Sequence, residues 1–181
     1  MQLNQLDRVG RVRRYIRSKW LMTLAGVTLA ATAWATPPLG FVVNQILASG
    51  IADGAIRQHI QINSNPDGSV TPWQLELQVH GDSDYYSQHL VLIPGGYSGW
   101  HSHPGLLIGA VKTGQIDFYD ANCQKRTITA GQVFTENDDV HAIANRGAVD
   151  ADLYISYLVK HSQPRRRDEV APACAIYTGI P

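Results

Sequence analysis

Residues 95–114 of the chain read GGYSGWHSHPGLLIGAVKTG, and two histidines stand near the middle of this stretch. Its glycines favour turns, and the apolar run that begins at Leu106 favours a strand. His101 and His103 are two residues apart, and side chains at this spacing point to the same face of a strand. Histidine is the commonest metal ligand among side chains, so the pair can form half of a metal site. The same spacing also arises by chance.

Short strands and turns are predicted on both sides of this stretch. Ile56–Ile62 (IRQHIQI) and Trp73–His80 (WQLELQVH) alternate apolar and polar residues, as half-buried strands do. Further short apolar segments, separated by turn-forming residues, continue to ADLYISYLV at 151–159. The sequence has 16 glycines and 9 prolines and shows no convincing amphipathic helix. These features predict an all-β sandwich or barrel.

The first 35 residues differ from the rest. Six basic residues and one acidic residue precede Trp20, and an uncharged run then ends in Ala33-Trp34-Ala35. A basic start, an apolar middle and a small-x-small end predict a signal peptide over 1–35, formed by a helix and cleaved after Ala35. The protein is therefore expected to be secreted or periplasmic. An uncleaved leader, anchoring the chain in a membrane through residues 20–35, stays an alternative.

The charge of the chain argues against nucleic-acid binding, and its cysteines bear on the compartment in which it folds. The chain after the leader is mildly acidic and offers no basic face for nucleic acid. Arg165–Arg167 is the exception and is expected to be a solvated patch. The chain has two cysteines, Cys123 and Cys174. Export to an oxidising compartment predicts that they form a disulfide, with two unrelated thiols as the alternative.

His141, in the segment VHAIAN, is a third candidate ligand. An antiparallel strand can bring it opposite His101 and His103. Three imidazoles that face one point suit a divalent transition metal, namely Fe, Zn, Cu or Ni, and leave positions open for water or substrate. Glu136 precedes His141, but its place near a strand end predicts an exposed side chain.

Both histidine segments resemble the sequence motifs of the cupin superfamily. Gly95–Gly114 resembles the first motif, in which an HxH pair stands between two glycines, and Gly131–Asn145 resembles the second, which carries one histidine. The stretch from about 73 to 159 also resembles secreted single-domain cupins (cupin type-2-like) of uncharacterised function. The resemblance implies an antiparallel double-sheet jelly-roll barrel. It also implies a divalent metal inside the barrel, held by His101, His103 and His141.

The chain departs from both motifs. Leu107 stands where the first motif has a glutamate, and Asn137–Asp139 replaces the PxG of the second. A site without a carboxylate leaves the metal charge uncompensated, which attracts a small anionic ligand. Asn145 is expected to bond the backbone rather than the metal. An apolar pocket around the site is expected to be lined by Leu107, Val111 and Phe118. Strand alternation also predicts that Tyr85, Phe118, Tyr154 and Tyr157 line the barrel or its core.

The sequence thus predicts four parts: a signal peptide (1–35), an N-terminal segment with one strand (36–65), a cupin barrel (66–160) and a C-terminal tail (161–181). The expected function is an exported module that binds a metal and a small anionic ligand. The alternatives are a dioxygenase-like enzyme with a three-histidine centre, acting on a small metabolite, and a barrel with vestigial histidines. No nucleic-acid partner is expected. Membrane association is expected only if the leader is uncleaved, and the sequence leaves open whether the protein forms a homodimer.

Overall fold

The computed structural model describes residues 35–63, 65–70 and 72–181, so the predicted leader lies outside the described residues except for Ala35. The described residues form twelve strands and a short 3-10 helix, Ala173–Tyr177. The strands are β1 (Leu39–Ala52), β2 (Ile56–Ile62), β3 (Trp73–Val79), β4 (Ser83–Tyr97), β5 (His101–Ser102), β6 (Gly105–Thr113), β7 (Gln115–Tyr119), β8 (Lys125–Thr129), β9 (Val133–Glu136), β10 (Ala142–Ala144), β11 (Ala151–Lys160) and β12 (Arg167–Asp168). No helix among them has the length and hydropathy that a membrane crossing needs.

Eight strands form one sheet that curls into a nearly closed antiparallel barrel, which confirms the predicted all-β jelly roll. The strand order is β8-β7-β10-β4-β11-β6-β9, and β1 pairs along β4. The segment 36–65 was expected to hold one strand, but it contributes β1 as well as β2. Register shifts in β1, for example between Phe41 and Val43, interrupt the alternation that identifies a strand in a sequence.

The barrel interior holds the main apolar core. Burial alternates along β11, where Leu153, Ile155, Tyr157 and Val159 point inward. Tyr154 was expected to line the barrel together with Tyr85, but their side chains are 40% and 41% exposed. The prediction was wrong for these two tyrosines because they occupy the outward positions of the same alternation. A tyrosine on such a face keeps its hydroxyl in water.

The C-terminal tail is fastened to one end of the barrel. Trp100 is fully buried in a second apolar cluster, where Ala175 and Ile180 from the tail pack with it. A disulfide joins Cys123 to Cys174, 51 residues apart in sequence. On the loop-entropy account, a bridge of this span stabilises a fold by about 4 kcal/mol. The tail therefore belongs to the folded body.

The β2–β3 hairpin forms a separate two-stranded sheet. Its register pairs Ile60 with Leu75 and Ile62 with Trp73, which places these apolar side chains on one face. All four are 40% or more exposed. The hairpin thus contributes an apolar surface rather than a part of the core.

Candidate metal centre

Four polar side chains meet inside the barrel. His101, His103, Glu136 and His141 each offer one ligand atom, and these atoms all lie within 4.8 Å of one another. Their residues are only 2% to 6% exposed. His101 lies in β5, His103 follows it, and a bridge pairs His101 with His141 on the facing segment. The structure thus brings together the three histidines that the sequence singled out and adds a carboxylate.

Main-chain carbonyls fix the tautomer of each imidazole. In each ring Nδ1 lies within hydrogen-bond distance of a carbonyl oxygen, and because a carbonyl only accepts, Nδ1 must donate. The distances are 2.9 Å from His101 to Gly99, 2.7 Å from His103 to Arg165 and 2.7 Å from His141 to Asp139. A neutral ring that donates through Nδ1 keeps its lone pair on Nε2. All three Nε2 atoms are therefore available as ligands.

Glu136 is the residue that the sequence analysis misjudged. It was expected to be exposed, which left the site without a carboxylate, but the side chain is buried and Oε2 lies 3.0 Å from His103 Nε2 and 3.3 Å from His141 Nε2. The reason is the register of β6 and β9, which places Glu136 opposite Leu107. Directly opposite residues of an antiparallel pair point to the same side, so the carboxylate enters the barrel beside the position of the motif glutamate.

Burial and charge act against each other on the ionisable groups of this cluster. Burial acts to raise the pKa of Glu136, but the His103 and His141 imidazoles beside the carboxylate hold that pKa far below its usual range. Burial lowers the pKa of His101 well below its ordinary value. Burial also acts to lower the pKa of His141, but the Glu136 carboxylate outweighs it and the net shift is upward. Glu136 is thus ionised and His101 neutral, as metal ligands must be.

The donor set fits a divalent cation. His141 Nε2 is buried and has no hydrogen-bond partner, and the His103 Nε2 lone pair faces a carboxylate oxygen that also only accepts. Two such acceptors 3.0 Å apart need a proton or a cation between them. Nitrogen and oxygen ligands bound ~2.1 Å from one metal lie ~3.0–3.4 Å from each other. The separations of Glu136 from His103 and His141, 3.0 and 3.3 Å, fall in that range.

A cavity of about 80 Å³ adjoins His101, His103 and Glu136. Its walls are mainly apolar and include Leu107. The volume exceeds the ~10–15 Å³ that a single buried water molecule needs. Val111 instead lies in the core, and the Phe118 ring stacks on His141 with 5.5 Å between centroids and lines a different pocket. A ligand in this cavity would be small.

The cavity also has a basic side, which the sequence analysis missed. Arg165 and Arg166 are half-buried and line the cavity, so they are not the solvated patch that was expected. The Arg165 guanidinium lies 5.2 Å from the centre of the Tyr157 ring, and its buried Nε has no hydrogen-bond partner. Arg166 donates to the Ser98 carbonyl at 2.7 Å. The sequence around Arg165–Arg167 contains no pattern that predicts its contact with the barrel.

The other singled-out polar residues have structural roles. Asn145 is fully buried, and its Nδ2 donates to the carbonyls of Leu92 and Val149, each at 2.8 Å. This confirms that it bonds the backbone. Among the remaining histidines, His89 pairs with Asp152 and His161 with Asp84, both outside the cluster.

No family model and no curated protein matches the chain. Among solved structures it is similar to the cupin_2 domain of an XRE family transcriptional regulator from Enterobacter cloacae, at 18% identity and a TM-score of 0.36, over 42% of this chain and 81% of that one. It is similar to an oxalate oxidase in complex with the substrate analogue glycolate, at 22% identity and 0.40, over 46% of this chain and 45% of that one. It is also similar to a predicted oxalate decarboxylase from Thermotoga maritima, at 23% identity and 0.37, over 44% of this chain and 82% of that one.

The strand pairing and the position of the two histidine segments identify the fold. An antiparallel sheet closes almost completely, and the two motif segments approach each other inside it through the bridge between His101 and His141. Gly95–Gly114 and Gly131–Asn145, which carry the motif resemblance, occupy neighbouring strands of this barrel. The described barrel is therefore an antiparallel jelly roll that brings together the two segments with the motif resemblance.

Proposed function

We propose that this protein binds a divalent transition metal through Nε2 of His101, His103 and His141 and through the carboxylate of Glu136. The observation that carries the proposal is the orientation of the three rings, each of which gives its Nδ1 proton to a main-chain carbonyl. Three lone pairs then converge on a buried carboxylate. Imidazole suits Fe, Zn, Cu and Ni, and a carboxylate oxygen also suits Mn.

The test is the metal content of the purified protein, together with its melting temperature in the presence of each of these ions. We expect about one bound ion and a rise in Tm, because a ligand at 100 times its Kd stabilises the folded state by about 2.7 kcal/mol. His103→Ala should abolish the rise. His89→Ala is the matched control, since His89 contacts Asp152 away from the cluster. A protein without metal whose Tm is unchanged by every ion would rule the proposal out.

A small anion is the ligand that best fits beside the metal. Three neutral imidazoles and one carboxylate leave a divalent ion with a net charge of about +1, which attracts an anion. The free Nε of Arg165 and the guanidinium of Arg166 add positive charge to the same cavity. The volume of about 80 Å³ suits a ligand of the size of a short carboxylic acid. In this proposal the Arg165 guanidinium orients the carboxylate of the acid, and the apolar walls contact the rest of the molecule.

Acetate and formate are suitable probes of this second part of the proposal. Arg165→Gln should weaken acetate binding to the metal-loaded protein about tenfold or more, because an ionic hydrogen bond contributes about 1.5–3 kcal/mol. Metal affinity should stay the same, since the contact to His103 comes from the carbonyl of residue 165 rather than from its side chain. Arg57→Gln, on the exposed hairpin, is the control. Equal acetate affinity in both variants would exclude Arg165 as the anion site.

We also propose that the chain is exported. The leader composition supports export, and the Cys123–Cys174 disulfide fits an oxidising compartment. Fractionation of cells that express the full chain should recover it outside the cytoplasm, beginning at Thr36. Recovery of the intact chain in the membrane fraction would favour the anchor instead, and recovery in the cytoplasm would exclude both.

An enzyme is the second candidate, favoured by the cavity that adjoins the metal ligands. A bound metal supplies Lewis-acid chemistry or activation of O2. Residues of the chain would bind and orient a small acid substrate, with Arg165 on its carboxylate. Oxygen uptake and substrate loss across short carboxylic acids, measured with iron-loaded protein, separate the candidates. A binding module shows neither, and an enzyme shows turnover that Glu136→Gln reduces.

A further inference from the structure

We infer that the C-terminal segment 165–174 orients the metal-binding histidines. We infer further that the Cys123–Cys174 disulfide holds this segment in place and so makes metal affinity depend on redox state. The inference rests on the proposed metal binding. The residues concerned contact the metal-binding side chains and do not themselves bind the metal. The disulfide then acts on metal affinity as well as on stability.

Residues 165–169 of the segment contact the ligand-bearing strand and its flanking residues. β12 pairs with β5, with Arg167 opposite Ser102 and Asp168 opposite His101. The carbonyl of Arg165 accepts the Nδ1 proton of His103 at 2.7 Å. Two of the three histidines therefore have the segment as a direct neighbour.

Glu169 extends these contacts beyond the pairing. Its backbone N–H donates to the Trp100 carbonyl at 3.0 Å, and its carboxylate accepts from Ser102 Oγ at 2.7 Å. Trp100 and Ser102 are the chain neighbours of His101. The segment thus fixes the backbone on both sides of that ligand.

The pairing of β12 with β5 alone holds the segment only weakly. β12 is two residues long, and even a complete two-stranded hairpin is only marginally stable in water. The last barrel strand, β11, ends at Lys160. Further along the chain, the disulfide attaches Cys174 to Cys123, which lies in the turn between β7 and β8. Ala175 and Ile180 then pack in the Trp100 cluster. The disulfide closes the loop that keeps the segment against β5.

Opening the disulfide should therefore weaken the site. A phosphine reductant and water convert the disulfide to two thiols and the phosphine to its oxide, a two-electron change. Once released, the segment no longer presents the Arg165 carbonyl to His103, and the ring loses the contact that fixes its orientation and tautomer. Loss of such an orienting partner typically costs 10–100-fold in metal affinity.

The decisive experiment compares the zinc Kd of the oxidised full chain with that of Cys123→Ser/Cys174→Ser, measured by competition with a chromophoric chelator. The double variant has no thiol to bind zinc, and no reductant is needed. We expect its Kd to be at least about tenfold higher. Equal Kd values would overturn the inference and leave the proposed function standing. If the oxidised wild type binds neither zinc nor any other of the proposed transition metals, the proposed function itself is overturned.

A second variant covers the case in which the double serine variant fails to fold, as judged by circular dichroism. Arg166→Ala/Glu169→Ala keeps the disulfide but removes the contacts to Ser98 and Ser102. We expect a smaller increase in the zinc Kd. Tyr177→Ala is the matched control, because this tail side chain is 85% exposed. Equal zinc affinity in Arg166→Ala/Glu169→Ala and in the control would overturn the role of the segment.

Discussion

Glu136 lies directly across from Leu107 in the antiparallel pairing of β9 with β6. Both side chains are buried and point into the barrel. Leu107 occupies the position at which the first cupin motif has a glutamate. The neighbouring strand therefore supplies the carboxylate that this strand lacks, within hydrogen-bond distance of His103.

This relationship predicts that the carboxylate can be moved between the strands. Glu136→Ala should raise the zinc Kd at least about tenfold, since even partners of ligands contribute that much. Leu107→Glu/Glu136→Leu restores a carboxylate to the same interior face and should recover part of the affinity. Zinc competition titrations measure both effects.

Leu107→Glu alone is the control for the swap. It adds a second buried carboxylate beside Glu136, and it should lower the Tm because like charges repel in a buried site. A swapped variant that binds zinc no better than Glu136→Ala would mean that position 107 does not reach the ligand atoms.

Asn145 should matter for stability and not for metal binding. Its amide satisfies the carbonyls of Leu92 and Val149, and its Oδ1 accepts from Gly147 N–H at 2.9 Å. Asn145→Ala leaves these groups without partners and should destabilise the fold by about 2–4 kcal/mol. Urea denaturation measures the loss. Zinc affinity of the folded variant should equal that of the wild type, and a large increase in Kd would assign Asn145 to the site.

Tyr157 should contribute to stability through its hydroxyl. That hydroxyl donates to Gln88 Oε1 at 2.6 Å, and both residues are buried. Tyr157→Phe leaves the amide oxygen without this donor and should cost about 1–3 kcal/mol in urea denaturation. Tyr154→Phe on the exposed outer face is the control and should change stability by less than about 0.5 kcal/mol. Equal effects would contradict the assigned hydrogen bond.

The His161–Asp84 pair predicts a pH dependence remote from the metal centre. The hydrogen bond at 2.7 Å to Asp84 raises the pKa of His161, and the same bond lowers the pKa of Asp84. Asp82 and Asp53 act in the same direction on His161. The His161 contribution is complete below the ordinary value of 6.5 and disappears as pH rises through the raised pKa. The Asp84 contribution is present above 3.8 and disappears as pH falls through the lowered pKa.

The measurement is the Tm difference between wild type and His161→Gln. It should be largest near about pH 5 and shrink towards about pH 9, and salt should reduce it because the pair is partly exposed. His59→Gln, on the exposed hairpin, is the control. A Tm difference that grows with pH would contradict the assigned direction.

Local sequence patterns predicted the features that depend on residues near each other in the chain. Alternation identified β2, β3 and most of β11, and the motif spacing identified His101, His103 and His141. The disulfide between Cys123 and Cys174, expected from export and pairing, is present in the structure. These features follow from strand geometry and from redox chemistry, and both can be predicted from a single sequence.

Features that depend on distant pairing were not predictable in this way. Glu136 enters the site only through the register of β9 against β6, and no local pattern encodes that register. Arg165 reaches the cavity because two residues of β12 pair with β5, a contact too short to produce alternation. In β1 the register shifts remove the alternation itself.

The acceptors that orient the three imidazoles are all peptide carbonyls, those of Gly99, Asp139 and Arg165. Every amino acid carries this group, so no side-chain replacement at these three positions deletes an acceptor. The ligand orientation is therefore buffered against point mutation at Asp139 and Arg165. Gly99 is the exception, because its φ is +69° and any side chain there would collide with the Thr36 carbonyl oxygen and displace the main chain. Tuning the centre requires a change in the ligands or a displacement of the main chain, which makes inserted or deleted residues in the adjoining loops more consequential than substitutions at Asp139 or Arg165.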